Sequence, residues 1–152
     1  MVPHSFETGS LRMEPKLLVS FHAPLQDVDR IMSEVVRLTP LAMGNYDSNA
    51  YQSAEGFERY RPLKGAAAGP ETDLRKRPGV VEISFELDDD GELLEQVVEA
   101  IFQAHSYEEP VIRVATVLTS RSKGLDDSAN PNRWWNTTGD WARTSGSSAD
   151  QG

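Results

Sequence analysis

Apolar residues follow two rhythms along the middle of this chain. In VVEISFEL (80–87), Val81, Ile83, Phe85 and Leu87 alternate with Glu82, Ser84 and Glu86. That period of two predicts a strand with one buried face. In PLQDVDRIMSEVVRL (24–38), Val28, Ile31, Met32, Val35 and Val36 recur at helical spacing. Asp27 and Asp29 sit in its first turn, where a helix dipole favours acids. DDDGELLEQVVEAIFQAH (88–105) repeats the helical rhythm, with an acidic start and a stripe of Leu94, Val97, Val98 and Ile101. KLLVSFHA (16–23) and PVIRVATVL (110–118) read as the first and last strands. GNYDSNAYQS (44–53) and GFERYRPL (56–63) read as two more, joined by a turn near AEG and followed by a Gly- and Pro-punctuated loop over 64–79.

The resulting order is β-α-β-β-β-α-β. Two helices on one face of an antiparallel sheet give an α+β, ferredoxin-like plan, with the middle strands acting as a long central hairpin. The last strand is apolar on both sides: Val111, Ala115 and Val117 on one, Ile112, Val114 and Leu118 on the other. Such a strand needs cover on both faces, and two helices supply only one layer. The remaining cover is expected from the C-terminal segment or from other subunits, which predicts an oligomer.

Outside 16–118 the rhythm fades. Residues 1–15 contain two prolines and no periodicity and are expected to form a flexible tail. Residues 119–152 are rich in Ser, Asp, Asn, Gly and Thr, a composition with little packing capacity. PNRWWNTTGDW interrupts that polar tail with the protein's only tryptophans, Trp134, Trp135 and Trp141. Their large amphipathic rings predict a segment that docks on the core or on a partner.

Composition narrows the function classes. There is no cysteine, which removes disulfides, thiolate metal sites and cysteine nucleophiles. No apolar run approaches the ~20 residues of a membrane span, and the N-terminal segment lacks a signal-peptide pattern, so a cytoplasmic protein is expected. The net charge is −9, and residues 16–118 hold 18 acids against 10 bases. A core this acidic repels a phosphate backbone, which argues against nucleic acid.

AHSYEEPV (104–111) is the densest chemistry, with His105, Tyr107, Glu108 and Glu109 between a helix and a strand. His105 and Glu108 are competent ligands for a divalent metal ion. The same residues also suit a purely architectural corner, with His105 at the helix end, Tyr107 packed, and Glu108 and Glu109 paired with Arg61 or Arg113. Adjacent residues of an extended segment point opposite ways, which counts against Glu108 and Glu109 as a catalytic carboxylate pair. His22 ends the first strand, and convergence with His105 would create a two-histidine site. Gly44 of GNYD suits a sharp backbone turn, and Tyr46 and Tyr51 line the predicted hairpin. Arg59 and Arg61 suit anion recognition, as does LRKRPG (74–79), although no phosphate-cradling glycine pattern accompanies it.

GNYD (44–47), YRPLKGA (60–66) and AHSYEEPV (104–111), in that order, resemble three landmarks of the insert module of the NIF-three-like proteins, a family related in fold to the CutA-like and trimeric PII-like proteins. The resemblance covers roughly Leu17 to Leu118. It implies a trimeric module that binds a small ligand or metal ion at subunit clefts, or regulates a partner protein. The contact residues it implies are His105, Tyr107, Glu108, Glu109, Arg61 and Tyr46. The family's dinuclear metal site lies in flanking domains with no counterpart in this sequence, so hydrolase activity is not expected to carry over. Ser106 stands where the family pattern has proline and is expected to loosen the corner; LTPLAM (38–43) replaces a glycine-rich turn. Two other classes remain: a small hydrolase-like enzyme using His105 with Glu108 or Glu109, and a structural assembly subunit that docks through its tryptophans.

Overall fold

A computed structural model describes residues 4–124 and 127–136. Its strands are β1 (Phe6–Glu7), β2 (Leu11–Pro24), β3 (Tyr51–Gln52), β4 (Gly56–Tyr60), β5 (Arg75–Leu87) and β6 (Ile112–Ser122); its helices are α1 (Val28–Leu38) and α2 (Gly91–Ala104). Central β2 runs antiparallel to β6 on one side and β5 on the other, and β3 and β4 both pair with the far side of β5. This is the ferredoxin-like α+β plan.

The register builds the core. Leu17, Val19 and Phe21 of β2 stand opposite Leu87, Phe85 and Ile83 of β5, which aligns the apolar phases of both strands on one face. There they pack against Val28, Ile31 and Val35 of α1 and Val97 and Ile101 of α2. Burying each such side chain contributes about 1.5–3 kcal/mol. Asp90 starts α2 by accepting hydrogen bonds from the N–H groups of Glu92 and Leu93, at 3.1 and 3.2 Å. On β6, Ile112 and Val114 face the helices opposite Phe21 and Val19. Ala115 and Val117 lie on the second face beside Leu18 and Lys16. Among the described residues, no helix or strand forms a layer over that second face.

Three local expectations change. The first strand begins at Leu11 rather than Lys16, because β6 continues to Ser122 and supplies partners as far as Leu11↔Ser122. Phe6–Glu7 then folds back onto Arg12 and Met13. Residues 6–15 are therefore largely sheet rather than a flexible tail. Pro15 is tolerated because β2 has a neighbour on one side only at that level, between the ends of β1 and β5. Second, AEG does not reverse the chain. Tyr51–Gln52 and Gly56–Tyr60 follow one another along the same side of β5, and the register slips by a bulge between Gly56 and Glu58. The true hairpin is β4–β5, closed by residues 61–74. Third, Arg75–Arg77 lie in β5 rather than in a loop.

Candidate functional site

The AHSYEEPV corner closes on itself. The imidazole of His105 is fully buried; its Nε2 lies 2.6 Å from the carbonyl oxygen of His22, and its Nδ1 accepts from the Tyr107 N–H at 3.0 Å. One nitrogen must accept, so the other carries the proton and donates. Asp27, at the end of the short 3-10 turn before α1, is only 3% exposed. Its Oδ2 accepts from both the N–H (3.0 Å) and the hydroxyl of Ser106, and its Oδ1 meets Arg30 Nη2 at 2.7 Å. Arg30 Nε in turn donates to the carbonyl of Ala104 at 2.8 Å, satisfying the end of α2. Burial alone would raise the Asp27 carboxyl, but the Ser106 and Arg30 hydrogen bonds outweigh it and hold the group below its ordinary range. Ser106 thus tightens the corner instead of loosening it: a proline would offer neither the N–H nor the hydroxyl.

His22 and His105 do converge, but through the His22 backbone. The His22 side chain turns to the second face of the sheet, where Nε2 is 3.5 Å from Glu82 and Nδ1 is 4.0 Å from Glu58. With Ser53, Ala54, Gly56, Phe57, Val80 and Val81 these three residues line a cavity of about 180 Å³. Tyr107 reaches the same region from the corner. Its hydroxyl and Glu58 Oε1 are both closed to water and neither has a hydrogen-bond partner. They face each other as a phenol donor and a carboxylate acceptor, a pairing that helps to raise the phenol although it falls outside good hydrogen-bond geometry here. The phenol is pushed up to about 12, chiefly by burial and then by the Glu58 charge, while the Arg77 guanidinium, 4.9 Å over its ring, works the other way.

The basic run is occupied by aromatic neighbours. Arg75 lies 5.8 Å from the Tyr60 ring, Lys76 4.5 Å from Phe57 and Arg77 4.9 Å from Tyr107. Arg75 is also paired with Glu71, whose carboxyl that hydrogen bond lowers against its partial desolvation.

The remaining predicted residues disperse. Glu108 Oε1 accepts from the Ala67 N–H at 2.9 Å, clipping the 61–74 loop to the corner instead of pairing with an arginine. Glu109 and Arg61 are exposed. Tyr46 closes a tight Met43–Tyr46 turn at the far end of α1, whose 11 residues span about 16 Å away from the corner. Gly44 supplies that turn's left-handed φ of 59°, and the Asn49 side-chain amide donates to the carbonyls of Leu41 and Tyr46. Trp134 and Trp135 stack edge to face at 5.9 Å, 37% and 53% exposed. Trp141 lies outside the described residues. Asp27, Glu58 and Glu82 are not marked as site residues by the sequence, and Arg77 is marked only within the basic run LRKRPG. Of the three acids only Asp27 carries a local signal, as an acid in a helix's first turn.

A metal does not fit the predicted ligands. Both ring nitrogens of His105 are committed to backbone and Glu108 to an amide. Among the described residues, no group of three or more His, Cys, Asp or Glu could hold a metal ion.

No protein-family model matches the sequence, and no curated protein matches it. Solved structures do. A Bacillus cereus protein related to NIF3 superposes with a TM-score of 0.58 at 20% identity, covering 82% of this chain and 32% of that one. The likeness is one of fold. This chain spans about a third of that protein's length. GlnK of B. subtilis (TM-score 0.45, 10% identity, covering 68% of this chain and 86% of that one) also matches. So does CutA from Synechococcus elongatus PCC7942 (0.46, 18%, 76% and 85%). The resemblance to the NIF-three-like module, first seen in three motifs, therefore holds for the architecture. Among the described residues, no helix is long and apolar enough to cross a membrane.

Proposed function

We propose that this chain is a non-catalytic, self-associating cytoplasmic module, a homotrimer, that binds a small ligand beside its sheet and tunes a partner through that occupancy. The observation that carries the reading is the uncovered second face. Leu18, Ala115 and Val117 lie there among charged and hydroxyl side chains, and the His22 cavity opens beside them. A mixed apolar and polar patch of this kind has the character of an interface between folded subunits. The committed imidazole of His105 and the exposed, divergent Glu108 and Glu109 weigh against the hydrolase-like alternative, because a general base needs a free lone pair aimed at substrate.

Native mass spectrometry of the full chain tests the assembly. Three copies of the 16.9 kDa chain are expected, and Val117→Asp should return a monomer. A wild-type monomer overturns the proposal. A second reading rests on the exposed, mutually stacked Trp134 and Trp135: the segment docks on a protein partner. Replacing both with Ala while assembly and ligand binding persist would separate the two.

A further inference from the structure

Cations and acids are matched over most of the molecule and unmatched in one place. Outside the β4–β5 hairpin, every lysine and arginine among the described residues except Arg113 makes an ion pair with an acid. On the hairpin only Arg75 does, with Glu71. Arg59, Arg61, Lys64 and Lys76 are exposed and make none among the described residues. The chain holds 24 acids against 15 bases, so this is not a shortage of acids.

The register makes the mismatch costly. Arg59 stands directly opposite Lys76, and directly opposed side chains share one face of an antiparallel pair. Like charges in that position repel each other and weaken the pairing. The adjacent pairs escape the defect: Glu58 opposes Arg77 and Tyr60 opposes Arg75, on the other face. Phe57, two residues before Arg59, lies 4.5 Å from the Lys76 ammonium and is still 60% exposed. Leu74, two residues before Lys76, is 54% exposed. Alternation sets these four side chains on one side of the hairpin. Its outer face therefore presents two unpaired cations flanked by two exposed apolar groups.

We infer that this outer face docks a short acidic segment of a partner protein, with carboxylates between Arg59 and Lys76 and an apolar side chain against Phe57 and Leu74. The inference rests on the partner-tuning part of the reading above and names that partner's chemistry. An acid seated between Arg59 and Lys76 turns one repulsion into two attractions, which the fold itself leaves unmade. Aromatic and arginine side chains side by side are also what interface centres favour. A wide anionic surface, whether membrane or nucleic acid, suits the face less well. It carries negative charge past these cations toward a chain of net charge −9. The charges of a short segment stay over the patch, and screening with a length of about 8 Å hides them from the rest of the chain.

The test selects a random heptapeptide library, displayed on phage, against the full chain. Enriched sequences are expected to carry acids beside an aliphatic or aromatic residue. Synthetic peptides made from them should bind Arg59→Ser and Lys76→Glu weaker than wild type by about tenfold or more. Lys76→Glu should at the same time raise the urea midpoint, because Arg59 gains an opposite charge across the strands. That combination separates lost docking from lost folding. No enrichment, or enriched sequences without acids, overturns the inference, as do unchanged affinities in both variants. A lower midpoint in Lys76→Glu also counts against it. Tighter binding of phosphatidylserine vesicles or of oligothymidine through the same two cations gives the surface to a lipid or a nucleic acid and overturns it too. Assembly mass is read on the same samples. A monomer that binds the selected peptides keeps this surface and removes the trimer, whereas a trimer that selects none does the reverse.

Discussion

Tyr107 belongs to two neighbourhoods that obey opposite rules. Its backbone N–H enters the stitched corner, where His105, Asp27, Ser106 and Arg30 leave hardly a polar atom without a partner. Its hydroxyl lies behind the His22 cavity against Glu58 Oε1, where the two oxygens are closed to water and neither reaches good hydrogen-bond geometry. A buried polar group with its bonds made rigidifies a fold; one left short costs stability unless something arrives to complete it. The AHSYEEPV segment is therefore mainly a stitched corner, and the incompletely bonded pair lies one side chain away from it.

The contrast can be broken most sharply at Asp27. Asp27→Ala strands the Ser106 donors and the Arg30 guanidinium and should cost about 3 kcal/mol in urea denaturation. A loss under about 0.5 kcal/mol would mean that the corner is not held by this network. The sign with pH follows from the depressed carboxyl. Its contribution is complete above the unfolded value near 3.8 and disappears as pH falls through the lower folded value. Asp27→Asn should flatten the acid limb of the stability curve relative to wild type.

The cavity side should answer differently. Tyr107→Phe removes a hydroxyl that has no partner, and stability should stay level or rise by up to about 1 kcal/mol. A loss of more than about 1 kcal/mol would show that the hydroxyl is satisfied in solution. Ultraviolet titration sharpens the point: Tyr107, pushed up to about 12, should ionise at lower pH in Glu58→Gln, because a negative neighbour has been neutralised. The smallest effect is expected at Glu108. Glu108→Ala removes an exposed bond to the Ala67 amide, costing about 0.5 kcal/mol, and should show mainly as faster hydrogen exchange at Ala67.

The helices and inner strands were legible in the sequence because their faces are set by local periodicity: Val97 and Ile101 on one stripe, Ile83 and Phe85 on one phase. What stayed hidden depends on partners distant in the chain. Leu11–Pro15 reads as a tail until Leu118–Ser122 pairs with it. The 51–60 edge reads as a hairpin because a bulge and a turn both use glycine beside polar residues. The corner was legible as a helix-to-strand junction, yet its key bond joins residues 27 and 106, a pairing no periodicity announces. Glu58 and Glu82 looked like ordinary solvent-facing acids of alternating strands. Only the third dimension sets them on either side of His22.

The slipped edge at Gly56–Glu58 gives the sheet two rims of unlike character. Along β4, the short paired runs and the bulge break the ladder of free amides and carbonyls, so an incoming strand finds no long continuous template. Along β6, eleven residues run unbroken from Ile112 to Ser122, with β2 as their one strand neighbour among the described residues. Fibril growth or strand exchange, should the protein be stressed, would start from β6, while the bulged rim terminates any stack that reaches it.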